Sequence, residues 1–246
     1  GTSLRSAEVF ARAAQCQGSL KNYGVAVELM DSAIGCFDEH SLKEASPYIL
    51  TRALLKYSAG RYREAVFDYN RYEEVMGAVP NANFYYMRSQ AEVKGKMFQQ
   101  ALNDLERAIS IEPGNAAFYL EKGLLCYKVN LLEDGALALE DAKKIVPDAP
   151  DVYYIQGCIY FKAGNKALAV ENLQKAVSLG HPDAQIRLDE IEKVGCRFAD
   201  HALDNGFEFY CDDGQNEKRF ESLLKRVFKK GSNDLRLKKV SKNKLL

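Results

Sequence analysis

Ala101, Gly135 and Ala169 stand 34 residues apart, and five further columns keep the same spacing around them. Ala108, Ala142 and Ala176 form one, Leu105, Leu139 and Leu173 another, and Ser89, Gly123 and Gly157 a third. Tyr85, Tyr119 and Tyr153 recur in step, as do Pro113 and Pro147, with His181-Pro182 shifted by one. A fixed period of this length means one supersecondary unit copied along the chain, because a unit too small to bury its own apolar face must stack on its neighbours. Two earlier units join with small insertions. Ala65, Tyr69 and Tyr72 align 36 residues ahead of the third unit, and Ala26, Met30 and Ala33 align 39 residues ahead of the second. The extra residues fit turns within 37–45 and 76–83. The reading is five units, at about 7–45, 46–81, 82–115, 116–149 and 150–183.

Inside a unit the apolar spacing is that of two antiparallel helices. Tyr119, Gly123 and Cys126 fall at i, i+4 and i+7 on a first helix, and Gly135, Leu139 and Ala142 do the same on a second. Small residues at the crossing let the two backbones approach, and proline after the second helix ends it because it has no N–H to continue the ladder. These columns, with segments such as YSAGRYREAVFDYNRY (57–72) and MFQQALNDLERAISIEPGN (97–115), resemble the tetratricopeptide repeat family over about residues 7–183. The resemblance implies an all-α fold, a right-handed α-solenoid of about five helix pairs. The chain departs from the family pattern in two ways. No unit has Trp at the first aromatic position, and the usual Leu three residues later is replaced by Arg52, Arg88, Lys122 or Gln156.

Beyond the fifth unit, DAQIRLDEIEKV (183–194) resembles the solvating helix that closes such an array, with Ile186, Leu188, Ile191 and Val194 among charges. Residues 195–246 form a C-terminal extension of different texture. GCRFADHALDNGFEFYCDDG (195–214) reads as irregular or short extended structure. EKRFESLLKRVFKK (217–230) places Phe220, Leu223, Leu224, Val227 and Phe228 on one face of a basic amphipathic helix, and 235–246 is a basic tail. From Gln215 onward eleven Lys/Arg stand against three Asp/Glu, although the whole chain of 246 residues has a formal net charge of zero.

The resemblance also implies where a partner sits, since first helices of such arrays line a concave groove. The positions it maps are Leu50, Leu54 and Tyr57, then Tyr86, Gln90 and Lys94, then Leu120, Leu124, Tyr127 and Lys128, then Tyr154, Cys158, Phe161 and Lys162. The set is aromatic and aliphatic, with lysines towards one edge. Tyr and Phe bury much area for little lost rotamer freedom. Chaperone-binding members of the family hold a C-terminal carboxylate with Lys, Asn, Asn, Lys and Arg; the corresponding positions here are Tyr86, Gln90, Glu121, Asp151 and Ile155, so no such clamp is present. The expected function is therefore a protein–protein interaction scaffold that holds a peptide or helix of a partner. The alternative is an adaptor that reaches nucleic acid or an anionic membrane through its basic C-terminal region, the less favoured of the two. Self-association through the 217–230 helix is a further expectation.

Enzyme signatures are missing: there is no G-x-S-x-G, P-loop, Rossmann glycine pattern or H-E-x-x-H. Cys196, His201 and Cys211 are a conceivable ligand set, but C-x4-H-x9-C fits no compact zinc module, so neither metal nor cofactor is expected. The six cysteines form no CxxC pair, and four fall at helical positions where a small buried thiol is the common arrangement. With no signal peptide or membrane-length apolar run in the sequence, a cytoplasmic home is expected. An exported or periplasmic one, its signal removed ahead of Gly1-Thr2-Ser3, is the alternative.

Overall fold

The computed structural model describes residues 2–77 and 81–191, together with two short strands at 208–209 and 238–239. Ten bounded helices run in order: α1 (Thr2–Ser19), α2 (Tyr23–Ile34), α3 (Leu42–Ser58), α4 (Tyr62–Met76), α5 (Ala82–Lys94), α6 (Phe98–Ile111), α7 (Ala116–Val129), α8 (Leu132–Ile145), α9 (Pro150–Lys162) and α10 (Lys166–Ser178). They pack as five antiparallel pairs, α1 with α2 through α9 with α10, and each second helix also packs on the first helix of the next pair. This is an α-solenoid of helix pairs.

The same turn joins the helices of every pair. Lys21, Gly60, Lys96, Asn130 and Gly164 all have left-handed backbones, with φ between 62° and 79°. The residue after each donates its N–H back across the helix end: Asn22 to the Gln17 carbonyl, Arg61 to Lys56, Met97 to Glu92, Leu131 to Cys126 and Asn165 to Tyr160, at 2.8–2.9 Å. These bonds satisfy carbonyls that a helix end leaves without partners. Only two of the five turns use glycine, the residue that adopts this conformation freely.

The repeat columns are packing columns. Ala101, Ala108, Leu139, Ala142, Leu173 and Ala176 are fully buried or within 1% of it. At Gly123 an added Cβ would lie 2.7 Å from Leu139 Cγ, and at Gly157 it would lie 2.7 Å from Leu173 Cγ, so the helix crossing leaves no room for a side chain there. The recurring tyrosine ties each pair to the turn before it. Tyr119 and Tyr153 donate their hydroxyls to the carbonyls of Pro113 and Pro147, at 3.2 and 2.8 Å. Tyr85, whose pair follows the enlarged turn, donates instead to Glu73 at 2.9 Å.

The polar residues that replace the family's leucine form a ladder. Each reaches back to the second helix of the preceding pair: Arg52 to Asp31 at 2.6 Å, Arg88 to Asn70 at 3.0 Å, Lys122 to Glu106 at 3.0 Å and Gln156 to Glu140 at 2.6 Å. The acceptors are themselves a repeat column, spaced by 39, 36 and 34 residues as the units are. Where the second helix of the same pair carries an aspartate, the arginine also forks forward onto it, Arg52 onto Asp68 and Arg88 onto Asp104. Asp68 is fully buried and also takes Lys56 at 2.7 Å. Burial weakens the guanidinium of Arg88, but Asp104 and Glu73 more than offset that and hold its pKa above the ordinary arginine value.

Several expectations change in detail. The turn within 37–45 ends at Ser41; α3 begins at Leu42 and carries Pro47 within it. Cys126 and Cys158 are buried as expected of helical thiols, whereas Cys16 is exposed on α1 and Cys36 lies half-buried just past α2. The chain divides into two compact units, 1–184 and 185–246. Residues 184–191 are helical, with Leu188 and Ile191 buried but Ile186 61% exposed, so Ile186 does not share their apolar face. Val194, the cysteine and histidine set at 196–211 and the amphipathic segment 217–230 lie outside the described residues. In the extension, Glu208–Phe209 pairs in parallel with Lys238–Lys239, which puts a short strand within the basic tail.

Candidate functional site

The first helices α3, α5, α7 and α9 carry all the positions mapped as a partner surface. They are not equally available. Leu50, Tyr57 and Tyr86 are half-buried and pack on the core that α3 to α7 build, and Leu120, Tyr127 and Tyr154 do the same on the core around Leu139 and Ile159. Tyr86 lies with its ring centroid 5.3 Å from that of Phe118. Burial and the neighbouring charge of Glu121 both push its pKa up. Such tyrosines have one side committed to the fold, and replacing them disturbs packing as well as surface.

Leu54 and Leu124 are different. They occupy one repeat column, each 39% exposed, one turn beyond Leu50 and Leu120. Gln90 falls in the same column, half-buried, its Nε2 without a hydrogen-bond partner. Cys158 completes the column and is only 8% exposed, so the row recedes at α9. Phe161 is half-buried on α9, and Tyr154 stacks on His181 with centroids 4.0 Å apart; His181 Nε2 lies 3.3 Å from Asp151.

Lys94, Lys128 and Lys162 are exposed at the ends of α5, α7 and α9. Lys128 Nζ stands 5.2 Å from the ring centroid of Phe98. Lys162 Nζ stands 4.7 Å from the ring of Tyr127 and donates to the Tyr127 carbonyl at 2.8 Å. Two clefts among the described residues lie elsewhere. One of about 670 Å³ is lined by Glu112, Asn115, Ile145 and neighbours, and one of about 340 Å³ by Glu106, Tyr119, Lys122, Leu137 and Asp141. Both sit where consecutive pairs meet and include none of the mapped positions.

Sequence reasoning passed over the Arg52, Arg88, Lys122 and Gln156 ladder, which it registered only as a departure from pattern. It also passed over Glu92, 4% exposed on α5. Burial, together with the neighbouring charge of Asp104, pushes the Glu92 carboxyl up to about 8, against an ordinary 4.5. No group of three or more His, Cys, Asp or Glu among the described residues could hold a metal ion, and no described helix is long and apolar enough to cross a membrane.

Stacked helix pairs with a polar ladder between them and a face of half-exposed apolar side chains define a helical repeat scaffold. The chain carries tetratricopeptide repeats: the family model described as tetratricopeptide repeat matches residues 82–115 and 150–179. Sperm-associated antigen 1 of Mus musculus is 34% identical over 93 residues, which cover 38% of this chain and 10% of that protein. The mitochondrial import receptor subunit TOM70 of Rattus norvegicus is 26% identical over 180 residues, covering 69% of this chain and 29% of the receptor. The chain thus spans a minor part of these relatives. Among solved structures, YrrB, a tetratricopeptide protein with an unusual peptide-binding site, superposes with a TM-score of 0.60 at 18% identity, over 74% of this chain and 90% of YrrB.

Proposed function

We propose that the face formed by α3, α5, α7 and α9 captures a segment of a partner protein. Tetratricopeptide scaffolds in general act through protein–protein interaction. The observation that carries the narrower reading is the column of Leu54 and Leu124: two large apolar side chains at the same repeat position, each 39% exposed and flanked by half-buried tyrosines. Rows of this kind suit an extended or helical segment, which offers side chains at regular intervals to a regular surface. YrrB, with the same fold, has a peptide-binding site, which adds weight to this use of the surface.

The test starts with a partner isolated from extract of the source cell and identified, and a segment of it synthesised. Titration of that segment against the intact chain and against Leu54→Ser/Leu124→Ser gives the result. Both leucines are already well exposed, so the variant is expected to fold as the parent does and to bind about tenfold or more weakly. Equal binding by parent and variant, with unchanged thermal unfolding, would remove the face from consideration.

A further inference from the structure

We infer that the occupant of this face is an acidic amphipathic segment, its carboxylates held by a row of three lysines. The inference rests on the reading that the first-helix face holds a partner segment. Lys94, Lys128 and Lys162 stand 34 residues apart, one on each of α5, α7 and α9. Repetition of one residue at one place in successive units puts three like charges along one edge of the face.

The charges are available. None of the three forms an ion pair among the described residues, whereas Lys56, Lys122, Lys143 and Lys144 each lie within 3.3 Å of a carboxylate. Two of the ammonium groups are also held in place: Lys128 over Phe98, and Lys162 over Tyr127 with a bond to that residue's carbonyl. A long side chain already fixed by an aromatic ring gives up less freedom when it meets a carboxylate.

The neighbouring residues select among anions. One turn before Lys128 stands Leu124, and one turn before Lys94 stands Gln90, so the charged edge borders the mostly apolar row. A nucleic acid backbone would meet the lysines and leave Leu54 and Leu124 facing water. A polypeptide with apolar side chains on one face and Asp or Glu along its border satisfies both rows at once. The competing account is that each lysine merely offsets the partial negative charge at a helix C-terminus, where all three are found. On that account their loss lowers stability and leaves binding untouched.

The experiment uses the full chain and three labelled synthetic peptides of equal length: Leu alternating with Glu, with Gln, and with Lys. Anisotropy titrations compare the parent, Lys94→Gln/Lys128→Gln/Lys162→Gln and Leu54→Ser/Leu124→Ser, with thermal unfolding measured for each. The expected result is that the Glu peptide binds about tenfold more tightly than the Gln peptide, loses that margin in the triple lysine variant, and weakens with added salt. Equal binding of the Glu and Gln peptides, both weakened by the leucine changes, overturns the acidic preference and leaves the groove reading standing. So does a Glu preference that survives in the triple variant. Binding that depends on the lysines but ignores the leucines overturns the groove reading and this inference with it. Binding of none of the peptides overturns the inference.

Discussion

Arg88 forks onto Asp104, its Nε and Nη2 donating to the two carboxylate oxygens at 2.6 and 2.9 Å, with both side chains only 5% exposed. The same guanidinium reaches Glu73 and Asn70 on α4, so one residue ties α5 to the helix behind it and to the helix ahead. Packing of phenyl and phenol rings completes its shell, with Phe84 and Tyr85 at 5.2 and 5.4 Å. The family's leucine at this position would fill space and make none of these bonds.

Arg88→Leu is therefore expected to destabilise the array by about 3–5 kcal/mol, since it leaves Asp104 buried with only the more distant Arg107, 3.9 Å away. Adding Asp104→Ala should recover much of that loss, because α8 carries Ala138 at the equivalent place and is well packed. Urea unfolding of the parent, the single and the double variant checks the claim. Equal losses in the two variants would mean that the buried Asp104 carboxylate is not what makes the arginine's loss costly.

Glu92 adds a pH dependence of predictable sign. Arg88 and Arg107 pull its carboxyl down, but burial and Asp104 outweigh them and raise it to about 8 from 4.5. A carboxyl with a raised folded-state pKa contributes fully while it is protonated in both states, below about pH 4.5. Stability then falls as the unfolded state ionises, and goes on falling until the folded pKa is passed. Glu92→Gln removes the ionisation, so its melting temperature should match the parent's below about pH 4.5 and exceed it near about pH 8. Parallel melting curves for parent and variant across that range would show that Glu92 is ionised throughout.

The five left-handed turns give a prediction of the opposite kind. Lys96 sits at φ 64°, where Gly60 and Gly164 stand in other pairs, and a side chain there costs about 1 kcal/mol. Lys96→Gly should raise the melting temperature, and calorimetry of the single variant suffices to check it. Lys96 is exposed and belongs to neither the ladder nor the lysine edge, so peptide binding should not change.

What the sequence made legible, and what it hid, follows from how each kind of residue acts. Ala101, Leu139 and Leu173 recur because a helix crossing constrains size at one point, and such constraints show directly as columns. The ladder was harder to see. Arg52, Arg88, Lys122 and Gln156 share a column but not an identity, and their acceptors Asp31, Asn70, Glu106 and Glu140 lie on another helix. Those acceptors align only after the insertions at 37–45 and 76–83 are allowed for, so the signal was present, one correction away. At the face itself, the family resemblance mapped Leu50 and Leu54 together but could not separate the one that packs from the one that is exposed. Four residues along a helix return to nearly the same side, and depth is set by neighbouring helices. The buried Glu92 left no trace at all, because a lone acid in a helix reads as a solvated one.

Two glycines test the packing account in opposite directions. An added Cβ at Gly123 would meet Leu139 Cγ at 2.7 Å, and Leu139 is fully buried, so neither side can yield without moving a helix. At Gly24, in the first turn of α2, a Cβ would meet nothing within 4 Å. Helix propensity alone favours replacing both, by up to about 1 kcal/mol. Gly24→Ala should follow propensity and stabilise the chain by about 0.4–1 kcal/mol. Gly123→Leu should run against it and destabilise by roughly 1–3 kcal/mol, because overpacking at the crossing outweighs the gain. Combining Gly123→Leu with Leu139→Ala opens space opposite the new side chain, and the double variant should be more stable than the sum of its parts predicts. Thermal and urea unfolding of these three variants and of Leu139→Ala alone decide the matter. A Gly123→Leu protein as stable as the parent would mean that α7 and α8 are not held at the separation the alanine and glycine columns require.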